Sequence, residues 1–227
     1  MNKKTVNIIN IILITIQFAL SVVYDRLGNP YVFKSLATGW FLIIAIFNFI
    51  VAAKQGNKPK VYKILMLIGL IFAAAGDIFL IKRSTFVLGA ALFAVGHVFY
   101  LSNFFVLHKF KLRDLFVFIG LFVICLLIIF LYPKFNFSGM LPLIIVYAFI
   151  ICAMLAKSIG NCFSKEYLKQ NIVVAIGALL FFVSDVCLLF YMFGGAPVLV
   201  DSMCLFTYYT GQGLLASSLS FINRKNK

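Results

Sequence analysis

Two aspartates lie inside nearly continuous hydrocarbon. Asp77 sits in LMLIGLIFAAAGDIFLI and Asp185 in NIVVAIGALLFFVSDVCLLF. A carboxylate at membrane depth costs about 2.5–3.5 kcal/mol on insertion scales, so such residues face polar cavities and mark functional sites. Two carboxyl groups in unequal surroundings can divide the work of general acid and general base, as they do in glycosidases. Other polar residues extend the constellation. Gly69, Ala73 and Gly76 follow helical spacing beside Asp77, and Gly89, Phe93, Gly96, His97 and Tyr100 share one helical face. Ser184 precedes Asp185, Tyr208 and Gln212 stand four apart with Tyr209 beside them, and Lys34 opens another apolar run. His97 can move protons or orient a carboxyl. Plainer roles compete: helix–helix hydrogen bonds for the aspartates, core packing for His97 and the tyrosines, snorkelling for Lys34. No GxSxG elbow accompanies Ser184, and a zinc site would have to draw on both aspartates and His97, so neither a serine nucleophile nor a metal is expected.

The elements that position these residues follow from composition. Of 227 residues, 64% are hydrophobic and 11% charged, against about 25% charged in soluble proteins. No soluble fold of this size hides that much apolar surface, so the chain is a polytopic, all-α membrane protein. Eight apolar runs of spanning length occupy 5–24, 33–53, 61–81, 86–108, 112–132, 139–159, 171–193 and 198–222. The runs lack strand-type alternation, which argues against a β-barrel. The expectation is one integral membrane domain over 1–227: an eight-helix transmembrane bundle with antiparallel neighbours. The opening MNKK and its apolar run read as a retained first helix rather than a cleaved signal.

The net charge of +14 would fit nucleic acid, but the charges fall in short loops between spans. Topology and anionic membrane lipid explain them better, and no nucleic-acid partner is expected. With the amino terminus inside, inner segments carry fifteen basic residues: Lys3, Lys4, Lys54, Lys58, Lys60, Lys63, Lys109, Lys111, Arg113, Lys157, Lys165, Lys169, Arg224, Lys225 and Lys227. Outer segments carry five: Arg26, Lys34, Lys82, Arg83 and Lys134. That asymmetry predicts a multi-pass protein of the cell membrane with both termini cytoplasmic. The cysteines (Cys125, Cys152, Cys162, Cys187, Cys204) show no metal or disulfide spacing and read as small buried residues, four in spans and Cys162 at the start of a loop.

Asp77 and Asp185 are 108 residues apart, as are Gly69 and Gly177, and Tyr100 and Tyr208. The echo suggests two four-helix repeats in parallel orientation. A rise of about 1.5 Å per residue places Asp77 roughly 6–9 Å below the outer end of its helix, with Asp185 and His97 somewhat deeper. All are expected in the outer half of the bundle.

Read in order, the motifs resemble the YhhN-like family of membrane proteins, whose animal members are lysoplasmalogenases. The resemblance rests on GDIFL at 76–80, LGAALFAVGHVFY at 88–100, SD at 184–185 within GALLFFVSDVCLL, and YYTGQ at 208–212. Tyr147 matches the family's tyrosine in the sixth helix. Lys34 matches its Lys-Pro near the second, with Ser35 replacing the proline. The resemblance implies hydrolysis of the vinyl ether bond of lysoplasmalogens to a fatty aldehyde and glycerophosphoethanolamine or glycerophosphocholine, without a cofactor. On that reading Asp77, Asp185 and His97 are catalytic. Lys34, Tyr100, Tyr147, Ser184, Tyr208 and Gln212 bind the lysophospholipid, and Lys82 or Arg83 is an alternative phosphate ligand. Two other readings fit intramembrane carboxylates: a proton-coupled small-molecule or lipid transporter, and a hydrolase of another lipid.

Overall fold

The computed structural model describes residues 2–27, 30–55 and 59–220, and every regular element among them is helical. Eight long helices follow in chain order: α1 (Lys3–Leu27), α2 (Ser35–Gln55), α3 (Lys60–Phe79), α4 (Phe86–Leu107), α5 (Leu112–Leu131), α6 (Leu141–Cys162), α7 (Leu168–Phe193) and α8 (Val198–Ser217). A π-helical turn at Pro30–Lys34 leads into α2, and 3-10 turns occupy Arg83–Thr85 and Ser218–Ser220. Pro59 and Pro197 stand immediately before α3 and α8, and Pro142 lies in the first turn of α6. A proline is tolerated at those positions because the first turn's N–H groups have no intrahelical partner.

Each expected span corresponds to one helix, with two shifts at the ends. Helix α6 runs on to Cys162, so Cys162 closes a helix rather than opening a loop. Lys157, counted among loop charges, is buried in that helix. Its ammonium donates to Asp114 Oδ2 at 2.8 Å and to the Lys109 carbonyl at 2.9 Å, tying the α4–α5 connection to α6. Helix α8 ends at Ser217 and passes into a 3-10 turn. The last two residues of the expected span, and Lys58, Arg224, Lys225 and Lys227 of the charge count, lie outside the described residues.

Among the described residues seven helices, α1 to α7, are long and apolar enough to cross a membrane. Helix α8 is more polar, with Asp201, Thr207, Tyr208, Tyr209 and Gln212 in its run. It packs against α1, α2, α3 and α7, so Tyr208, Tyr209 and Gln212 meet protein rather than hydrocarbon. Tyr209 and Gln212 are wholly buried. Helix α5 is the opposite case: Phe116, Phe130 and Leu131 are exposed, as expected of a peripheral, lipid-facing helix.

The helix contacts repeat with a shift of four helices. The pairs α1·α2, α2·α3 and α3·α4 recur as α5·α6, α6·α7 and α7·α8, and α2·α8 recurs as α6·α4. The most extensive contacts are α3·α4 and α7·α8, where small residues let backbones approach. A Cβ on Gly76 would stand 2.9 Å from the Gly89 carbonyl, and one on Gly211 would stand 2.9 Å from that of Gly177. The two-repeat reading therefore has a counterpart in the packing. One departure is that α1 also seats on α8, with no equally extensive α4·α5 contact.

Candidate functional site

Both aspartates lie toward the end of the bundle at which α2 and α8 begin, but their surroundings differ. The π-helical turn before α2 ends at Lys34, whose Nζ lies 3.1 Å from Asp77 Oδ1. The two side chains are 11% and 4% exposed, so this is a buried ion pair. Asp77 Oδ2 accepts the Tyr209 hydroxyl at 2.9 Å and also the hydroxyl of Thr38. One cation and two hydroxyl donors thus hold the carboxylate, the satisfaction that a buried charge requires.

Asp185 has neutral company. Tyr147 donates its hydroxyl to Oδ2 at 2.8 Å, and His97 Nε2 stands 3.7 Å from the same oxygen, beyond a normal hydrogen bond. Among the described residues no lysine or arginine forms an ion pair with Asp185. The His97 ring is fully buried, its centroid 4.7 Å from Phe181 and 5.4 Å from Tyr147. The two carboxyls repeat one pattern. Each receives a hydroxyl from the preceding helix (Thr38 of α2, Tyr147 of α6) and faces a second polar group, from α8 and α4 respectively.

A polar cavity of about 190 Å³ contains both carboxyls, together with Tyr24, Lys34, Ser184, Asp201, Cys204 and Tyr208. A second cavity, about 100 Å³ and almost wholly apolar, lies among α4, α5, α6 and α7. Its walls include Cys125, Ile129, Ile144, Ala148 and Phe182. Leu80, Phe86, Phe93, Asp185 and Leu188 line both cavities. Asp185 is therefore the carboxyl at the boundary between a polar and an apolar chamber.

The structure brings only some of the expected site residues to the cavities. Lys34, Asp77, Ser184, Asp185 and Tyr208 line the polar cavity, and Tyr147 lines the apolar one. His97 stands behind Asp185. Tyr100 and Gln212 bond to each other at 2.9 Å, fully buried and outside both linings, so they brace α4 against α8. Lys82 and Arg83 are exposed and line neither cavity. Ser184 Oγ lies 3.3 Å from Cys204 Sγ. Tyr208 packs edge-on against Phe93 and Phe41, and its hydroxyl reaches the Ala73 carbonyl only at 3.5 Å.

Four residues of the site were not singled out by sequence: Thr38 on Asp77, and Tyr24, Tyr191 and Asp201 in the cavity wall. Thr38 had a usable signal, since it lies four residues after Lys34 and shares its face. Tyr209, noted only as the neighbour of Tyr208, is the tyrosine that holds Asp77.

Residues 8–219 match the profile of the YhhN family. Lysoplasmalogenase TMEM86A of Bos taurus is 32% identical over 161 residues, a stretch that spans 67% of this chain and 64% of the length of that relative. No solved structure matches.

Proposed function

This chain belongs to the YhhN family, and from that premise we propose that it is a lysoplasmalogenase-like hydrolase that cleaves the vinyl ether bond of a single-chain alkenyl phospholipid. The observation that carries this reading is the position of Asp185 where the polar and apolar cavities adjoin. A lysoplasmalogen has the same division: its vinyl ether joins a hydrocarbon tail to a glycerophosphoryl head. With the first carbons of the tail among Ile129, Ile144 and Ala148 and the head toward Lys34, the reacting bond falls beside Asp185. Lys34 retains donors for a phosphate oxygen while paired with Asp77.

The chemistry begins with transfer of the Asp185 proton to the β-carbon of the vinyl ether. The double bond's electron pair forms the new C–H bond, and an oxocarbenium ion results. Asp77, paired with Lys34 and hydrogen-bonded by Thr38 and Tyr209, offsets that positive charge from the same cavity. Water adds to the oxocarbenium carbon and returns a proton to Asp185. The hemiacetal collapses to a fatty aldehyde and the glycerophospho alcohol. Tyr147 and His97 orient the Asp185 carboxyl for both proton transfers.

The test is aldehyde release by the purified protein from a 1-alkenyl lysophosphatidylethanolamine, beside its saturated 1-alkyl counterpart. The alkenyl lipid is cleaved and the alkyl lipid is not, because only the former has a double bond to protonate. Failure of a folded protein to release aldehyde would overturn the reading. Lipid flux in proteoliposomes without product would then place the chain among transporters.

A further inference from the structure

The charges of the polar cavity do not balance among themselves. Lys34 is engaged with Asp77 at 3.1 Å. Asp201, in the first turn of α8, lines the same cavity, and among the described residues its carboxyl makes no hydrogen bond or ion pair. Its neighbour Ser202 is committed elsewhere, donating to Asp25 Oδ1 at 2.6 Å. A helix N-terminus favours a carboxylate, which explains an acidic residue at this position but not its placement in a cavity wall. Two tyrosines, Tyr24 of α1 and Tyr191 of α7, line that wall as well. Lys34 is the cation that acts on Asp201, and it is already committed to Asp77, while the Asp25 carboxyl lies within electrostatic reach of Asp201 as well. A carboxylate short of positive charge beside two tyrosines is the chemistry that recognises an alkylammonium group.

The spacing along the helices agrees with a headgroup. Tyr191 lies six residues beyond Asp185 on α7, and Asp201 lies seven before Tyr208 on α8. At about 1.5 Å per residue these offsets are roughly 9–10 Å along the helix axes. The link from the ether oxygen of a lysophospholipid to its headgroup nitrogen contains roughly nine bonds, with about 1.2 Å of reach each on standard bond lengths. A lipid with its vinyl ether at Asp185 and its phosphate near Lys34 thus brings its ammonium to Asp201.

We propose that Asp201, Tyr24 and Tyr191 form a cation subsite that takes the choline or ethanolamine ammonium and so selects zwitterionic over purely anionic lysophospholipids. The inference rests on the reaction proposed above for its substrate class. Its test is binding, and so is separable from turnover.

The probes are 1-alkyl lysophosphatidylcholine and 1-alkyl lysophosphatidate, which lack the vinyl double bond and remain intact. Their affinities are measured on the full chain in nanodiscs by native mass spectrometry. Wild type favours the choline lipid. Asp201→Asn lowers the choline-to-phosphatidate affinity ratio by about tenfold, weakening the former and strengthening the latter as a repelling charge is removed. Tyr191→Leu, on a different helix, lowers the same ratio several-fold, so the proposal does not depend on one variant folding. Unaltered ratios in both variants overturn the subsite, and with aldehyde release intact they leave the reaction standing. Altered ratios in a protein that releases no aldehyde support the subsite and refute the reaction.

Discussion

Removing one partner of the Lys34–Asp77 pair should cost far more than removing both. At 3.1 Å two unit charges attract by about 5 kcal/mol at an effective dielectric of about 20. Desolvation cancels most of that when the whole pair is replaced, but not when one charge is left buried. Lys34→Met leaves an anion whose two hydroxyl donors remain, and Asp77→Asn leaves a buried ammonium. Each single variant is expected to lose about 3 kcal/mol, the lower end of the range for broken buried pairs, and the double variant about 1–2 kcal/mol. The coupling energy from the cycle is then about 4 kcal/mol. The assay is equilibrium unfolding in mixed micelles followed by the fluorescence of Trp40, the sole tryptophan. Its indole donates to the Leu13 carbonyl at 2.9 Å across the α1·α2 contact, so it reports helix separation. Additive losses within about 0.5 kcal/mol would refute the pair as an energetic unit. The double variant also separates structure from chemistry, since it should regain stability without regaining hydrolysis.

Two further outcomes concern the chambers on either side of Asp185. Tyr147→Phe removes the hydroxyl that donates to Asp185 at 2.8 Å. Steady-state kinetics should show kcat down about tenfold with KM changed less than about threefold, as for a hydrogen bond that orients the proton donor; a change in KM alone would contradict that role. Ala148→Phe projects a ring into the apolar cavity of about 100 Å³, and kcat/KM should fall at least about tenfold more for a long alkenyl chain than for a short one, on the cost of displaced methylenes. Equal losses across chain lengths would mean that the tail lies elsewhere.

Hydrophobic run length was sufficient for α1 to α7, because a helix that crosses a bilayer must satisfy its own backbone, and the more polar α8 was legible by its length. The intramembrane carboxyls were legible for the same reason: Asp77 and Asp185 stand out against hydrocarbon, and both line one cavity. Their partners were less legible. Tyr208 and Tyr209 are adjacent and about 100° apart on α8, and the 108-residue echo favoured Tyr208, yet Tyr209 reaches Asp77. Tyr100 and Gln212 carry the expected spacing, but in the fold the Tyr100 hydroxyl donates to Gln212 Oε1 and neither residue lines a cavity. Thr38 in an apolar helix looks like any hydroxyl bonded to its own backbone, and only the approach of α3 gives it the Asp77 carboxylate. Asp201 lies near a helix start, where acidic residues are ordinary, and its place in the cavity wall depends on how α1, α7 and α8 meet.

Deuterium incorporation offers the sharpest test of Asp185 as the proton donor. Hydrolysis of an alkenyl lysophospholipid in D2O by the wild-type protein should yield aldehyde with one deuterium at the carbon next to the carbonyl. Asp185→Asn, folded as judged by Trp40 fluorescence, should lower that labelled product by about 10²–10⁴-fold, the range for loss of a general acid. Labelled aldehyde formed by Asp185→Asn at a rate within a few-fold of wild type would contradict the assignment and the two-carboxyl reading with it.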